Sequence, residues 1–410
     1  MWEQIRSNQT RTVILVAAMG LLLVLLGYFL GEALFGSGIG GLVVAILIWV
    51  IMNLFAYFQG DSLILSISRA RKISRDDHPR LYNIVEEMKI ASGLEKIPDM
   101  YIIDDPSLNA FAVGRDPSRA SVAITSGLLE RLNRDELQGV MAHEISHIKN
   151  RDVLLMTFCS VLLGTIVLLA WFAARMMLFG GMRGGGGRRG SGGGGGYATL
   201  IIIAVAIVLL IVAPIAAQLI YYAISRRREY LADASGALYT RYPEGLASAL
   251  EKIAGSTQEL KTANKAFAPM YIINPFRSKG KTASDLTSTH PPISERVRIL
   301  RSMAGGASLA AYDKAYHEVS RSGKGVIASS ALVGAAAVAA RKPEAAEAVP
   351  EKVERVRETS DLLWKYSDYG LVNCECGTKL RVPPKFRGDS ITCPHCGRDN
   401  PLTSNRKRAR

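Results

Sequence analysis

The chain has 410 residues, 49% of them hydrophobic, and its mean hydropathy is positive. That length allows two or three domains, and the hydrophobicity is high for a wholly soluble protein. With 50 basic and 36 acidic residues, the net charge is +14. The basic residues crowd beside hydrophobic stretches, so we attribute the excess to membrane orientation and anionic lipid and do not favour nucleic-acid binding. Five cysteines without a cleavable signal argue against a secreted disulfide framework.

Two apolar segments near the N-terminus, residues 13–30 and 39–58, are each long enough to cross a hydrocarbon core of about 30 Å as a helix. Basic residues precede the first segment and follow the second, whereas the linker between them has none. By the positive-inside rule, residues 1–58 are predicted to form a membrane hairpin that leaves the chain in the cytoplasm after residue 59.

Two further apolar segments, residues 153–174 and 198–224, predict a second membrane hairpin. The glycine-rich loop between them carries Arg183, Arg188 and Arg189, which an outside loop should lack. A hairpin that is only partly buried in the bilayer is therefore the alternative. The rest of residues 59–320 is predicted to be one cytoplasmic domain that this hairpin interrupts.

Within that domain, polar and apolar patterning predicts several helices and a small β-sheet. Helices are expected over residues 79–92, 135–150, 226–255 and 292–301, a strand near 99–103, and a hairpin over 109–126. Residues 321–368 are rich in Ala, Glu and Val and are predicted to be a flexible linker.

The segment His143-Glu144-Ile145-Ser146-His147 carries the strongest chemical signal. On a helix, the side chains of His143 and His147 share one face, one turn apart, and this suits two imidazole ligands on one zinc ion. Glu144 then lies beside a metal-activated water as a general base. The alternative is a surface helix with solvated histidines.

A zinc site of this class needs a third protein ligand and an open position. The candidate ligand is Glu229, and Asp233 follows it by four residues, where it could accept a hydrogen bond from a ligand histidine. Alone, these two acids would be interpreted as solvated. Two predicted spans separate His147 from Glu229, and an even number of spans returns the chain to the same side of the membrane.

Four cysteines in the last forty residues, Cys374, Cys376, Cys393 and Cys396, form a C-x-C and a C-x-x-C pair. Paired, glycine-ended knuckles can supply four thiolates to a closed tetrahedral zinc site. We predict a small zinc-ribbon-like domain over residues 369–400, with residues 378–392 as a β-hairpin, followed by a basic tail over 401–410. The alternative is four free thiols in a disordered tail.

At these residues, the chain resembles the HtpX family of membrane zinc metalloproteases, relatives of the eukaryotic CAAX prenyl protease. HEISHIKNRD, REYLADASGA, the N-terminal MWEQIRSNQTRTVIL, NAFAVG, ITSGLLERL and STHPPISERV carry the resemblance. It covers roughly residues 1–320 and does not include the cysteine-rich tail. It implies zinc ligands His143, His147 and Glu229, with Glu144 as base. It also implies cleavage of damaged or misfolded membrane proteins from the cytoplasmic side.

Other residues are weaker candidates. His290 is a candidate transition-state stabiliser or a histidine that fixes a loop. Arg296 is a candidate partner of an acid near the site, and Asp152 is either a support for the zinc ligands or a helix-end residue. Asn109, Ala110, Phe111 and Ala112 are predicted to form an edge strand that a substrate backbone extends. The sequence indicates structural roles for His78 and His317 and a packing role for Cys159.

Together, these features predict a mainly α integral membrane protein. It has a helical zincin-type metalloprotease domain with a small β-sheet and a small C-terminal zinc ribbon. The predicted function is zinc-dependent endopeptidase activity in protein quality control at the inner cell membrane. Its partners are protein substrates and the lipid bilayer, and its cofactors are one catalytic and one structural Zn²⁺. The alternatives are a CAAX-type processing protease and a zinc-ribbon adaptor with a degenerate protease site.

Overall fold

The computed structural model describes residues 36–159, 161, 226–258, 260, 261, 270–273, 290–303, 305–320, 325–333, 336, 338–344, 349–367, 369–383 and 385–402, together with most of residues 6–28. The predicted span 198–224 and most of the predicted span 153–174 lie outside the described residues.

Helix α1 spans Gly38–Ile67 and contains the predicted membrane segment 39–58. Ser37 begins it, because its side chain accepts a hydrogen bond from the Gly40 amide. Among the described residues, α1 is the one helix long and apolar enough to cross a membrane. Large side chains such as those of Ile51 and Phe58 are exposed on it, as a lipid-facing surface requires.

A four-stranded sheet follows, in the order β1-β2-β4-β3. Its strands are β1 (Arg71–Ile73), β2 (Asp99–Ile103), β3 (Ala110–Gly114) and β4 (Ala120–Thr125). β2 and β4 are parallel, whereas β3 and β4 form an antiparallel hairpin closed by a short 3₁₀ turn. The predicted strand and hairpin are therefore both present, and β3 lies at one edge of the sheet.

The predicted helices of the domain are also present. The helices after α1 are α2 (Pro79–Ser92), α3 (Ser126–Arg131), α4 (Arg134–Lys149), α5 (Arg226–Thr240), α6 (Pro243–Gly255), α7 (Ile293–Arg301), α8 (Leu309–Ser320), α9 (Ser329–Leu332) and α10 (Val349–Tyr366). Residues 152–159 are helical as well. The helical region expected over 226–255 consists of two helices. Arg241 turns the backbone with a φ of 53°, and Pro243 starts α6, since proline suits a first helical turn.

Helix α4 is the centre of the core. A reciprocal capping box begins it, in which Asn133 and Glu136 bond each other's backbone amides. Helix α6 crosses α4 closely at Gly139, where a Cβ would lie 2.7 Å from the Leu246 amide nitrogen. Every residue from 136 to 148 is buried, so α4 is enclosed on all sides rather than lying at the surface.

The prediction of a flexible linker over residues 321–368 is wrong for the second half of that range, which forms α10. Its side chains at Arg355, Thr359 and Leu362 are buried at helical spacing, and Leu362 joins the main core. Arg355 also donates a hydrogen bond to the carbonyl oxygen of Glu130 in α3. The composition, rich in Ala, Glu and Val, suggested a linker, but one face of the helix packs against the protease domain.

The C-terminal region forms two small antiparallel hairpins, β5–β6 and β7–β8. Their strands are β5 (Gly370–Asn373), β6 (Lys379–Val382), β7 (Ser390–Thr392) and β8 (Asp399–Pro401). The hairpin predicted over 378–392 is not formed, because β6 and β7 each pair with the strand on the other side of a cysteine knuckle. Gly377 and Gly397, with φ of 85° and 73°, allow the tight knuckle turns.

Candidate metal centre

Two histidines of α4 face one another inside the core. The Nε2 atoms of His143 and His147 are 3.2 Å apart, and both side chains are buried. Their spacing of four residues on a helix produces this juxtaposition, as the sequence predicted. Glu144, between them, is also buried, and its Oε1 atom has no hydrogen-bond partner among the described residues.

Helix α5 brings Glu229 to the same point. Its two carboxylate oxygens lie 3.6 Å from the Nε2 atoms of His143 and His147. Two ligand atoms about 2.0–2.1 Å from one tetrahedral zinc ion are about 3.4 Å apart. The three side chains therefore have the mutual spacing of a zinc ligand set.

A carboxylate holds the other nitrogen of each imidazole. Asp233 Oδ1 lies 3.0 Å from His143 Nδ1, and Asp152 Oδ2 lies 2.9 Å from His147 Nδ1. An imidazole beside a carboxylate keeps a proton on that side, so Nε2 is the nitrogen of each ring that can bind a metal ion. The two Nε2 atoms are 3.2 Å apart, so a single cation, either a proton or a metal ion, can be shared between them.

The electrostatics of the cluster also favour a positive charge. Burial alone would lower the pKa of His143, but Asp233 and Glu229 raise it to about 9. Burial opposes ionisation of Glu229, yet its histidine neighbours, His290 first, lower its pKa well below the usual value. Burial raises the pKa of Glu144. The donor set and this balance of charge fit a bound zinc ion.

Arg296, in α7, and His290, in the loop before α7, lie beside the cluster. Arg296 is fully buried and donates to both oxygens of Asp233, at 2.8 Å and 2.7 Å. His290 is buried with Nε2 3.9 Å from Glu229 Oε2. The structure thus brings together all of the candidate residues that the sequence indicated around HEISH.

The candidate substrate strand lies at the free edge of the sheet but is already partly occupied. The Ile272 amide donates to the Ala110 carbonyl oxygen at 3.0 Å, and the Asn109 side chain donates to the Ile273 carbonyl oxygen. Backbone groups alternate in direction along a strand. The backbone N–H and C=O groups of Ala110 point to the free edge of the sheet, so those of Ala112 point there too. No described residue forms a hydrogen bond with these two groups of Ala112.

Residues 270–273 and Arg228 are parts of the site that sequence reasoning missed. Arg228 is buried, and its Nη1 atom lies 3.9 Å from Asp152 Oδ1. In the sequence it is one of three consecutive arginines after an apolar segment, which is typical of a membrane flank. Nothing in that pattern distinguishes Arg228 from its two neighbours.

The remaining histidines named in the sequence lie away from this cluster. His78 caps α2, its Nδ1 accepting a hydrogen bond from the Leu81 amide. His317 faces Asp313 one turn earlier on α8, at 3.5 Å. Neither belongs to a group of side chains that could hold a metal ion among the described residues.

A second group of possible metal ligands lies in the C-terminal hairpins. The Sγ atoms of Cys374 and Cys396 are 3.5 Å apart, and those of Cys376 and Cys393 are 3.7 Å apart. Sulfur ligands about 2.3 Å from one tetrahedral zinc ion are about 3.8 Å apart. The Sγ atoms of all four cysteines are close enough to one another for a single ion to bind them.

Known proteins resemble this chain over most of its length. The model of Peptidase family M48 matches residues 75–304, more than half of the 410 residues. A Protease HtpX homolog from Dictyoglomus turgidum is 45% identical over 302 residues, 74% of this chain and 94% of that protein. A second, from Streptococcus pneumoniae, is 42% identical over 303 residues, 74% of this chain and 100% of that protein.

Among solved structures, the crystal structure of S. mikatae Ste24p aligns with 73% of this chain and 67% of that chain. Its sequence identity is 17% and its TM-score is 0.40, values too low to support an inference about this protein.

A mostly helical fold surrounds a buried two-histidine, one-glutamate cluster that could hold a metal ion, and an apolar helix on its N-terminal side is long enough to cross a membrane. The chain belongs to the HtpX-type zinc metalloproteases of peptidase family M48. This confirms the resemblance inferred from the sequence, and neither alternative function is favoured.

Proposed function

We propose that His143, His147 and Glu229 bind the catalytic zinc of an endopeptidase, with Glu144 as its general base. The observation that carries this proposal is the pair of Nε2 atoms 3.2 Å apart, each imidazole being held by a carboxylate on its far side. With Glu229 beside both Nε2 atoms, the three side chains form a buried donor set for one cation.

Zinc held by these residues supplies a Lewis acid that polarises a peptide carbonyl and makes a water molecule acidic near neutral pH. Glu144 accepts the proton of the attacking water and then gives it to the leaving amine, so no proton is gained or lost overall. His290 lies on the Glu229 side of the cluster and donates a hydrogen bond to the developing oxyanion. Asp233, Asp152 and Arg296 orient the ligands.

The substrate backbone extends β3 at Ala112, whose N–H and C=O groups face the free edge of the sheet. Ala112 is fully buried in the structure, so a peptide that binds at this edge displaces the residues that cover it. An extended peptide bound here would make main-chain hydrogen bonds and require little of its side chains. That property suits substrates of varied sequence, such as misfolded or damaged membrane proteins.

The site is proposed to lie at the cytoplasmic surface of an inner cell membrane, in a chain of two membrane hairpins. Residues 152–159 begin a helix five residues after His147. This helix contacts α1 where the latter leaves its apolar stretch: a Cβ on Gly60 would lie 2.8 Å from Thr157 Cγ2. Basic residues after residue 67 favour the cytoplasm for this end.

The four cysteines are proposed to bind a second, structural zinc ion in a zinc-ribbon-like domain over residues 369–400, followed by a basic tail. The spacing of their sulfur atoms supports this proposal. The domain's own core contains little besides Cys374, Leu380 and Cys393, so metal binding would supply much of its folding energy.

Glu144→Gln tests the catalytic proposal. The variant should bind zinc as the unaltered chain does and lose proteolysis of an unfolded protein such as casein by a factor on the order of 10³ or more. Zinc content is measured on the same preparation. Proteolysis at the normal rate in the purified variant contradicts the role of Glu144.

Zinc stoichiometry separates the two metal sites. Two zinc ions per chain are expected, with one lost in His143→Ala and the other lost in Cys393→Ser. His143→Ala should abolish proteolysis as well. Proteolysis that continues in the presence of a chelator would contradict the assignment as a metalloprotease. Faster cleavage of a lipidated peptide than of casein would favour the processing-protease alternative.

A further inference from the structure

The two proposed histidine ligands have matching support on their far sides. His143 faces Asp233, and Asp233 is held by the buried Arg296. On the other side His147 faces Asp152, and the guanidinium of Arg228 lies 3.9 Å from Asp152. Each ligand therefore belongs to a chain of imidazole, carboxylate and arginine.

Arg228 is a buried cation with incomplete hydrogen bonding. It is 2% exposed, and within the described part of the chain its Nε and Nη1 atoms have no hydrogen-bond partner. A guanidinium removed from water is costly unless a carboxylate lies near it. The carboxylate of Asp152, at 3.9 Å, is close enough to compensate its charge.

The neighbouring arginines show that this placement is particular to Arg228. Arg227 is exposed and donates from Nε to the Val326 carbonyl oxygen, and Arg226 is half-buried. Only the third arginine of the run points into the core, directly before Glu229 on the same helix. A run of basic residues that served only to mark the membrane surface would need no buried member.

We propose that Arg228 is a positioning residue of the catalytic zinc site, acting through Asp152 on His147. This inference rests on the proposed function, in which His147 binds zinc. The guanidinium compensates the charge of Asp152 and fixes where that carboxylate lies. Asp152 in turn holds the His147 ring with Nε2 turned towards His143 and Glu229. Loss of Arg228 leaves the three ligands present but lets His147 and its carboxylate shift.

Zinc affinity tests the proposal on the purified full-length chain in detergent. Outer partners of ligand histidines change metal affinity about 10–100-fold when they are removed. Arg228→Met should therefore weaken the catalytic zinc by about that factor in chelator competition, while the cysteine-bound zinc of the same molecule stays unchanged. Arg228→Lys, which keeps the charge, should recover part of the loss. Arg227→Met, the matched control, should leave both zinc ions at their normal affinities.

A double-mutant cycle shows whether Arg228 acts through Asp152. In an Asp152→Asn background, Arg228→Met should change the zinc affinity by less than about threefold, because the carboxylate that it supports is gone. With Co²⁺ in place of zinc, Arg228→Met and Asp152→Asn should shift the visible absorption in the same way. An equal loss of affinity in both backgrounds, or none in Arg228→Met alone, overturns the proposal.

If Arg228→Met does not fold, the pair Arg228→Met/Asp152→Asn is compared with Asp152→Asn alone, and the threefold limit applies unchanged. If His143→Ala retains two zinc ions, the proposed function itself fails. Two zinc ions in the unaltered chain with no effect of Arg228→Met would overturn only the role of Arg228.

Discussion

The two candidate metal centres differ in how far the protein builds them before a metal arrives. His143, His147 and Glu229 lie in the main core, on helices that pack along their lengths. The cysteine centre lies on two short hairpins, with Cys376 and Cys396 exposed. Its hydrophobic cluster contains three buried residues, whereas the main cluster draws on nearly every element of the protease domain.

The difference teaches that similar ligand spacing can have opposite causes. In the first centre, the fold holds the ligands, and zinc would bind between groups already in place. In the second, the metal would hold the fold, because so small a core cannot offset the entropy of ordering the chain. Metal removal should therefore affect chemistry in one centre and structure in the other.

The largest expected effect follows metal removal from the ribbon. Structural zinc contributes on the order of 10 kcal/mol to the folding of small zinc domains. A chelator should therefore abolish hydrogen-exchange protection in residues 370–402, such as the amide of Cys374 that bonds Thr378. The amides of α4 should stay protected, since their core does not depend on zinc.

A variant pair sharpens this test. Cys393→Ser should lose protection of residues 370–402 even with zinc present, because one ligand of the four is missing. His395→Ala lies in the same knuckle and should keep both zinc and protection. Persistent protection of these residues in Cys393→Ser would contradict the idea that the metal organises this region.

The buried ion pair of the first centre gives the next largest effect. Arg296→Met leaves the Asp233 carboxylate buried without its bidentate partner. Removing one member of a buried pair costs about 3–5 kcal/mol. Chemical denaturation of the protease domain measures it. The double variant Arg296→Met/Asp233→Asn should lose less than the sum of its single changes, and simple additivity would argue against direct coupling.

The sequence predicted the buried centre well because its signals are local. HEISH needs only helical periodicity to bring His143 and His147 together, and Glu229 and Asp233 are again spaced by one turn. The strand, the β3–β4 hairpin and the protease-domain helices followed from alternation and capping. Arg228 could not be found in this way, because its burial depends on where a helix near Asp152 comes to lie in three dimensions.

The C-terminal part was predicted less well for a related reason. The cysteine spacing indicated the ligands, but the pairing of strands around them depends on turns within each knuckle rather than on the segment between them. Helix α10 was mistaken for linker because the segment containing it is rich in Ala, Glu and Val and has no strong motif. It docks through polar contacts, such as those of Tyr366 and Lys365 with Asp77, which have no sequence signature.

A pH effect of intermediate size is expected at His78, which lies beneath α10 near Glu358. Burial lowers the pKa of His78 from 6.5 to about 4. The unfolded chain therefore binds a proton between these values that the folded chain does not. The stability that depends on neutral His78 is complete above pH 6.5 and falls by about 3 kcal/mol as the pH drops to about 4.

His78→Asn isolates this contribution. Asparagine can still cap α2 by accepting from the Leu81 amide, but it does not titrate. Denaturation midpoints of both chains are compared from pH 7 to pH 4, so that Glu358 and the metal ligands contribute equally to each. The variant should lose less stability on acidification. Parallel curves for the two chains would exclude His78 as the titrating group.

The smallest effect is expected at one of the contacts between the ribbon and α10. Lys379 forms an ion pair with Asp361, but its side chain is 56% exposed. Exposed pairs contribute about 0–1 kcal/mol, because water screens them and both side chains lose freedom. Lys379→Met should accordingly change the stability by less than about 1 kcal/mol, measured by hydrogen exchange of residues 370–382. A loss as large as that of Arg296→Met would mean that the ribbon depends on α10 as well as on its metal, and the contrast between the two centres would fail at this contact.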